Sequence, residues 1–466
     1  MSADTGCRIR RPAYLMKWGS GGAAFARAMP LLHLLPFHFE PSLFFSYLKD
    51  RIVKNTSKIY PWVVVALLWG VALLNYMDRQ MLSTMKEAMQ VDIAELQSAT
   101  NFGWLMAIFL YIYGFMSPVS GIIADRLNRK WLIVGSLFVW SGVTYLMGVA
   151  TTFQQMFWLR AVMGVSEALY IPAGLSLIAD YHSGKSRSLA VGIHMTGLYT
   201  GQAIGGFGAT VAAVTSWHST FHWFGIIGML YALVLILFLH DRKPAVAELP
   251  LAAPRAASQP KEAVWTSLKA LFGNVAFWVI LFYFAVSSLP GWATKNWLPT
   301  LFSESLDLPM SQAGPISTIT IAVSSFVGVI VGGVLSDRWV QRNLRGRVYT
   351  GAIGLGLTIP SLLLLGSGHS IVAVVGAGLL FGVGFGMFDA NNMPILCQFV
   401  SARQKATAYG MMNMVGVFAG AFITSLLGQW SDDGNLGMGF VLLGAVVAVA
   451  LCAQLYFLRP KADSLD

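Results

Sequence analysis

About twelve apolar stretches follow one another along the chain, each near the ~20 residues that a helix needs to cross a ~30 Å hydrocarbon core. They lie near Tyr60–Leu82, Thr100–Ala124, Trp131–Ala150, Met156–Ala179, Leu189–Val214 and Phe221–Leu239. A second set lies near Val275–Leu301, Ile316–Leu335, Val348–Leu365, Ile371–Val400, Ala406–Leu427 and Met438–Leu458. Soluble domains are excluded. Of the 466 residues, 56% are hydrophobic and 11% charged, against roughly 25% charged in an ordinary soluble domain. No globular core hides that much apolar side chain, so most of it faces lipid or another lipid-embedded helix. The expected fold is an all-α polytopic membrane protein of two six-helix bundles. Forty-seven glycines suit close helix packing in lipid.

Basic residues then orient the chain, because cytoplasmic loops collect lysine and arginine. They occur at the amino end (Arg51, Lys54, Lys58) and in every second connection: Arg126, Arg129 and Lys130; Lys185 and Arg187; Arg242, Lys243, Lys261 and Lys269; Arg338, Arg342, Arg345 and Arg347; Arg403 and Lys405. Arg459 and Lys461 follow the last span. The alternate connections carry acids (Asp92, Glu95, Glu304, Asp307, Asp432, Asp433) or, at 216–219, no charge. Both termini are therefore cytoplasmic. Topology accounts for the net charge of +10, and a nucleic-acid partner is not needed.

The domain organisation follows from the same pattern. Residues 1–58 read as a disordered or interfacial cytoplasmic extension, because Pro30, Pro36, Pro41, His33, His38 and Glu40 interrupt its apolar run. Residues 59–240 form the first bundle and 274–459 the second. Between them, 241–273 is a linker with Pro244, Pro250, Pro254 and Pro260, and 460–466 is a tail. Cys7, Cys397 and Cys452 lie too far apart for a disulfide framework or a metal site. The chain has no His-Glu-x-x-His and no phosphate-binding glycine loop followed by lysine and serine or threonine. An enzyme, a metal, a cofactor and ATP hydrolysis are not expected; an ion gradient must supply the energy.

One pattern occurs twice. Gly121-Ile-Ile-Ala-Asp125-Arg126-Leu-Asn-Arg129 follows the second span, and Gly333-Val-Leu-Ser-Asp337-Arg338 follows the eighth. Equivalent positions in two halves mark parallel repeats. Glycine there permits close helix approach, and an aspartate with arginines at a cytoplasmic helix end can latch the halves together. The pattern resembles the signature loop of the major facilitator superfamily, with Asn128 where glycine is usual. Within it, Asn75-Tyr76-Met77-Asp78-Arg79, Arg160-Ala-Val-Met-Gly164-Val-Ser-Glu167-Ala168 with Pro172, and Trp297-Leu-Pro-Thr300 resemble the anion:cation symporter family. That resemblance implies proton-coupled movement of organic anions such as hexuronates or aldonates. Spinster-type lipid transporters share the Asp-Arg and Arg…Glu pairs.

Ionisable groups inside spans are costly unless they line a cavity or find a partner. Asp78, Arg160 and Glu167 are the candidate proton-coupling residues, on spans 1 and 4; a purely structural ion-pair role is the other reading. Arg79, Tyr113, His194, Lys295, Asn392 and Asn413 are candidate substrate groups. Lys295 also fits an interfacial snorkelling lysine, and His194 a proton relay or a carbonyl-bonded core residue. Asp389, Asn391 and Asn392, followed by Pro394, break the tenth span and suggest a polar-lined cavity. Gly121, Asp125, Arg126, Arg129, Gly333, Asp337 and Arg338 form the candidate cytoplasmic gate. The expected function is uptake of a small organic anion, a sugar acid, with a coupling proton, by a monomer in the bilayer of a bacterial inner membrane. Lysolipid or sphingolipid transport, drug efflux and a non-transporting sensor are the competing readings.

Overall fold

The computed structural model describes residues 41–182, 186–241, 271–400 and 405–458, with backbone alone for 41–58, Ile122, Asp125, Arg126, Ala276, Lys405 and Ala406. The described residues form twelve long helices and no strand. The first six are α1 (Pro41–Thr84), α2 (Ala99–Arg126), α3 (Arg129–Met147), α4 (Phe153–Tyr181, two segments meeting at Leu169), α5 (Arg187–Gly205) and α6 (Trp217–Phe238). The second six are α7 (Val275–Leu306), α8 (Met310–Val340), α9 (Gly346–Ser367), α10 (Ile371–Asp389), α11 (Lys405–Asp432) and α12 (Leu436–Phe457). A short helix Gly208–Val214 continues α5, and Asn392–Leu396 continues α10.

Several helices are longer than their apolar cores. Apolarity reports only the lipid-buried part, so α8 starts at Met310 rather than near Ile316 and runs on to Val340. Likewise α1 begins at Pro41, although its apolar portion is Ile59–Thr84. Residues 1–40, most of the linker and the tail 460–466 lie outside the described residues. Eleven helices are long and apolar enough to span a membrane. The twelfth, α5, carries Arg187, His194 and Gln202 and is less apolar. Helix starts are fixed locally: Ser98, Asn128, Thr152, Ser216 and Ser370 each accept a hydrogen bond from the backbone N–H three residues on. Asn128, the departure from the usual glycine, thus caps α3.

Within the first half α2 packs on α4 and α3 on α6; within the second, α8 and α9 pack on α10 and α7 on α11. Gly201 on α5 lies directly against the Leu73 carbonyl of α1, where any β-carbon would collide. The halves meet where α2 runs along α11 and α5 along α8. Large apolar side chains such as Trp223, Leu237, Phe282 and Val449 remain exposed outside, as lipid-facing helices require.

The acidic, outer ends of the halves are closed on each other. Asp432, ending α11, accepts hydrogen bonds from the Ser98 and Thr100 hydroxyls and the Ala99 and Thr100 amides, all at 2.6–2.9 Å. A carboxylate on a helix amino terminus meets both unpaired N–H groups and a favourable dipole. Gln80 donates to the Lys295 carbonyl (2.9 Å), Thr210 to that of Ser311 (2.6 Å) and Thr318 to that of Ala203 (3.2 Å). Beside this seam, partial burial pushes the Lys86 ammonium below its ordinary range, against the opposing pull of Asp432, Glu304 and Glu87.

The basic, inner ends behave differently. Arg129 pairs with Asp180 and Asp337 with Arg347 (3.5 Å), each within its own half. Arg338 is exposed, and the side chains of Asp125 and Arg126 lie outside what is described. No atom lies within 4 Å of where a β-carbon on Gly121 or Gly333 would stand. Among the described residues the ion pairs of these loops stay within one half, whereas the opposite ends are joined across the halves through Asp432.

Gly206 touches the Thr318 hydroxyl and the Gly314 carbonyl across the outer seam, with no room for a side chain. Gly206→Leu should therefore disfavour outer closure, overpacking costing about 1–3 kcal/mol. Outside labelling of a cysteine at Gln80, buried beneath the seam, should speed up about tenfold, the equivalent of ~1.4 kcal/mol. An unchanged labelling rate would contradict the assigned seam.

Candidate functional site

Helical spacing assembles the site from two elements. On α1, Asn75, Asp78 and Arg79 stand at i, i+3 and i+4 and so share one face. On α4, Arg160, Gly164 and Glu167 stand at i, i+4 and i+7 and likewise share one face. Gly164 lies against the Phe109 carbonyl, 2.7 Å from where its β-carbon would be, so α4 crosses α2 with almost no separation. Pro172 supplies no N–H to the Ala168 carbonyl, which is why α4 breaks at Leu169. Glu167 occupies the last turn before that break.

Glu167 is wholly buried, and its Oε2 accepts from Arg79 Nε at 2.6 Å and from Asn75 Nδ2 at 2.9 Å. Asp78 is also buried and accepts from the Thr144 hydroxyl at 3.3 Å. Arg160 makes no carboxylate bond within 4.0 Å among the described residues; its guanidinium lies 4.5 Å from the Phe109 ring centre, and Nη1 contacts the Met163 sulfur. Two acids and two arginines share one low-dielectric volume, so the ionised set is electrically neutral. The ion pair runs between helices: Arg79 of α1 holds Glu167 of α4, so the charged set ties spans 1 and 4 together.

Arg79 faces two ways. Its Nε holds Glu167, while its guanidinium carbon sits 4.7 Å from the Tyr113 ring centre, 4.9 Å from Phe109 and 5.2 Å from Tyr76. Aromatic faces stabilise a cation without neutralising it. Its Nη2 has no hydrogen-bond acceptor among the described residues.

The second half contributes the facing wall. Lys295 Nζ stands 4.8 Å from the Trp292 ring and 6.0 Å from Tyr76, the same tyrosine that contacts Arg79. Asp389 ends α10 and accepts from Asn392 Nδ2 at 3.3 Å. It is exposed, and Lys295, Tyr199 and Tyr409, from three other helices, lie within electrostatic range of it. A carboxylate so placed is a candidate wall group of a space between the halves.

The other expected residues are placed as follows. Tyr113 lies against Arg79, Lys295 against Trp292 and Tyr76, and the buried Asn392 bonds Asp389. Asn413 donates to Ser117 of the opposite half at 3.1 Å. His194 is fully buried, 6.0 Å from the Tyr170 ring, whose hydroxyl donates to the Leu68 carbonyl; it belongs to the packing of α1, α4 and α5. Phe109, Thr144 and Tyr409 carry no ionisable or motif signal, and only tertiary contact shows them. No group of three His, Cys, Asp or Glu side chains suited to a metal ion occurs among the described residues.

The model of the Major Facilitator Superfamily matches residues 68–424. The chain belongs to that superfamily. This superfamily member is 22% identical over 424 residues to the "Probable L-galactonate transporter" of Escherichia coli K12, covering 88% of the chain and 92% of the relative. It is 24% identical over 413 residues to the "Hexuronate transporter" of Bacillus subtilis, covering 85% and 94%. Both relatives are thus named as transporters of sugar acids. Among solved structures, a bacterial homologue of the human lysosomal transporter Spinster, inward-facing and unoccupied, superposes with a TM-score of 0.72 at 18% identity, covering 87% of this chain and 98% of that one. That likeness concerns the fold.

Removing one partner of a buried ion pair leaves an unpaired charge and typically costs about 3–5 kcal/mol, whereas replacing both by apolar groups is often neutral. Glu167→Met should therefore lower the detergent melting temperature clearly, and adding Arg79→Met should restore most of the loss. Additive losses in the double variant would mean that the two side chains are not coupled.

Proposed function

We propose that the chain is a secondary active transporter that takes up a small polyhydroxy organic anion, a sugar acid such as an aldonate or hexuronate, together with a proton. It would act as a monomer in a bacterial inner membrane, by alternating access between its two six-helix halves. The observation that carries this reading is the double engagement of Arg79: Nε on Glu167, and a buried guanidinium nitrogen, Nη2, without an acceptor among the described residues. A carboxylate arriving there competes with Glu167 for one cation. Glu167, wholly buried, then loses its counter-charge and takes up a proton, since a buried carboxylate without a partner is costly. Binding and protonation are linked by charge balance. The nearby hydroxyl and amide groups of Tyr76, Tyr113, Tyr199, Asn392 and Tyr409 suit a ligand with several hydroxyls, and the two named relatives support the same class.

The join of the halves at one end through Asp432 suits the second requirement of transport, a site that opens to one side at a time. Asp78, held by Thr144, and Arg160, held against Phe109, complete the neutral set and tune when the proton leaves.

Glu167→Gln should abolish accumulation of a sugar acid driven by a proton gradient in proteoliposomes, while equilibrium exchange persists. Arg79→Lys should impair both by at least about a hundredfold, because an ammonium cannot hold two oxygen acceptors as a planar fork does. Concentrative uptake by Glu167→Gln would overturn the proton assignment. Lysophospholipid transport with no response to any sugar acid would overturn the substrate class.

A further inference from the structure

We propose that Asp389 sets the charge of the cargo, so that the cavity accepts a polyhydroxy acid with one carboxylate and rejects one with two. This rests on the sugar-acid reading above and narrows it. Six charged side chains surround the path from α1 to α10. On the first half, Asp78 and Glu167 balance Arg79 and Arg160; on the second, Asp389 balances Lys295. A monoanion brings one negative charge, which the Arg79–Glu167 exchange with a proton absorbs. A dianion brings another, and the remaining cation on that wall, Lys295, already lies within electrostatic range of the Asp389 carboxylate.

The local geometry makes Asp389 available for this role. Pro394 cannot donate to the Ala390 carbonyl, so α10 stops at Asp389 and resumes only at Asn392. Interrupted helices of this kind expose polar groups to a transport site. Asp389 is exposed and accepts a hydrogen bond from the neighbouring, buried Asn392. An exposed aspartate that only accepts calls for hydroxyl hydrogens. It repels a second carboxylate. The wall therefore recognises the hydroxyl-bearing end of a monocarboxylate.

The test is competition in proteoliposomes under equilibrium exchange, which needs no gradient. Labelled galactonate is the probe, with unlabelled galactonate and the dicarboxylate of the same carbon chain as competitors. In the wild type the dicarboxylate should compete at least about tenfold more weakly, and in Asp389→Asn the gap should close to about threefold or less. Asp389→Ser should behave like Asp389→Asn, and Asp389→Glu should keep the discrimination; binding by thermal shift in detergent repeats the comparison for any variant with poor exchange. Equal competition in the wild type, or full discrimination retained by both neutral variants, would overturn the role of Asp389 while leaving the sugar-acid reading intact. If neither acid binds the wild type, that reading itself fails and this proposal falls with it.

Discussion

The bond from Arg79 to Glu167 organises the first half of this transporter. An ionised carboxylate with no exposure survives in a lipid-embedded bundle only because Arg79 and Asn75 hold one of its oxygens. That demand fixes the rotation of α1 against α4. The Gly164 crossing places Phe109 beside both arginines, and the break before Pro172 leaves Glu167 at a helix end rather than mid-helix. Asp78 and Arg160 follow as the balancing charges. Each part is a response to the same constraint, that net charge at membrane depth must be close to zero.

The second half obeys that constraint with fewer groups. Lys295 and Asp389 lie within electrostatic range of one another, and the aromatic contact of Tyr76 with both Arg79 and Lys295 joins the two walls. The two halves are joined at one end through Asp432, while the space around Gly121 and Gly333 at the other end is open. In the repeated loops Arg129 and Asp337 brace neighbouring helices of their own halves.

Much of this was legible in the chain because membrane burial writes itself in composition. Spans and their approximate number follow from apolar length, and the ionisable residues expected inside them include Arg79 and Glu167, which the fold brings together. What the sequence left open was partnership. Arg160 and Glu167 stand seven residues apart on one face, yet Glu167 bonds Arg79, because helix crossing rather than helical spacing decides which termini of long side chains meet. His194 carries the same polar signal as Asp389, but α5 turns it into packing against Tyr170, whereas the Pro394 break leaves Asp389 exposed. Thr144 and Phe109 are ordinary helix residues until tertiary contact gives them a charge to hold.

The central claim is that anion binding and protonation are one event at the Arg79–Glu167 pair. Proton exchange measured directly on the purified protein, in weakly buffered detergent near neutral pH, addresses it without any transport step. Adding galactonate should draw about one proton from solution per anion bound, so that affinity weakens by up to roughly tenfold per unit rise in pH while Glu167 stays ionised in the free protein. Saturable binding with no proton taken up, and an affinity flat across that range, would contradict the account.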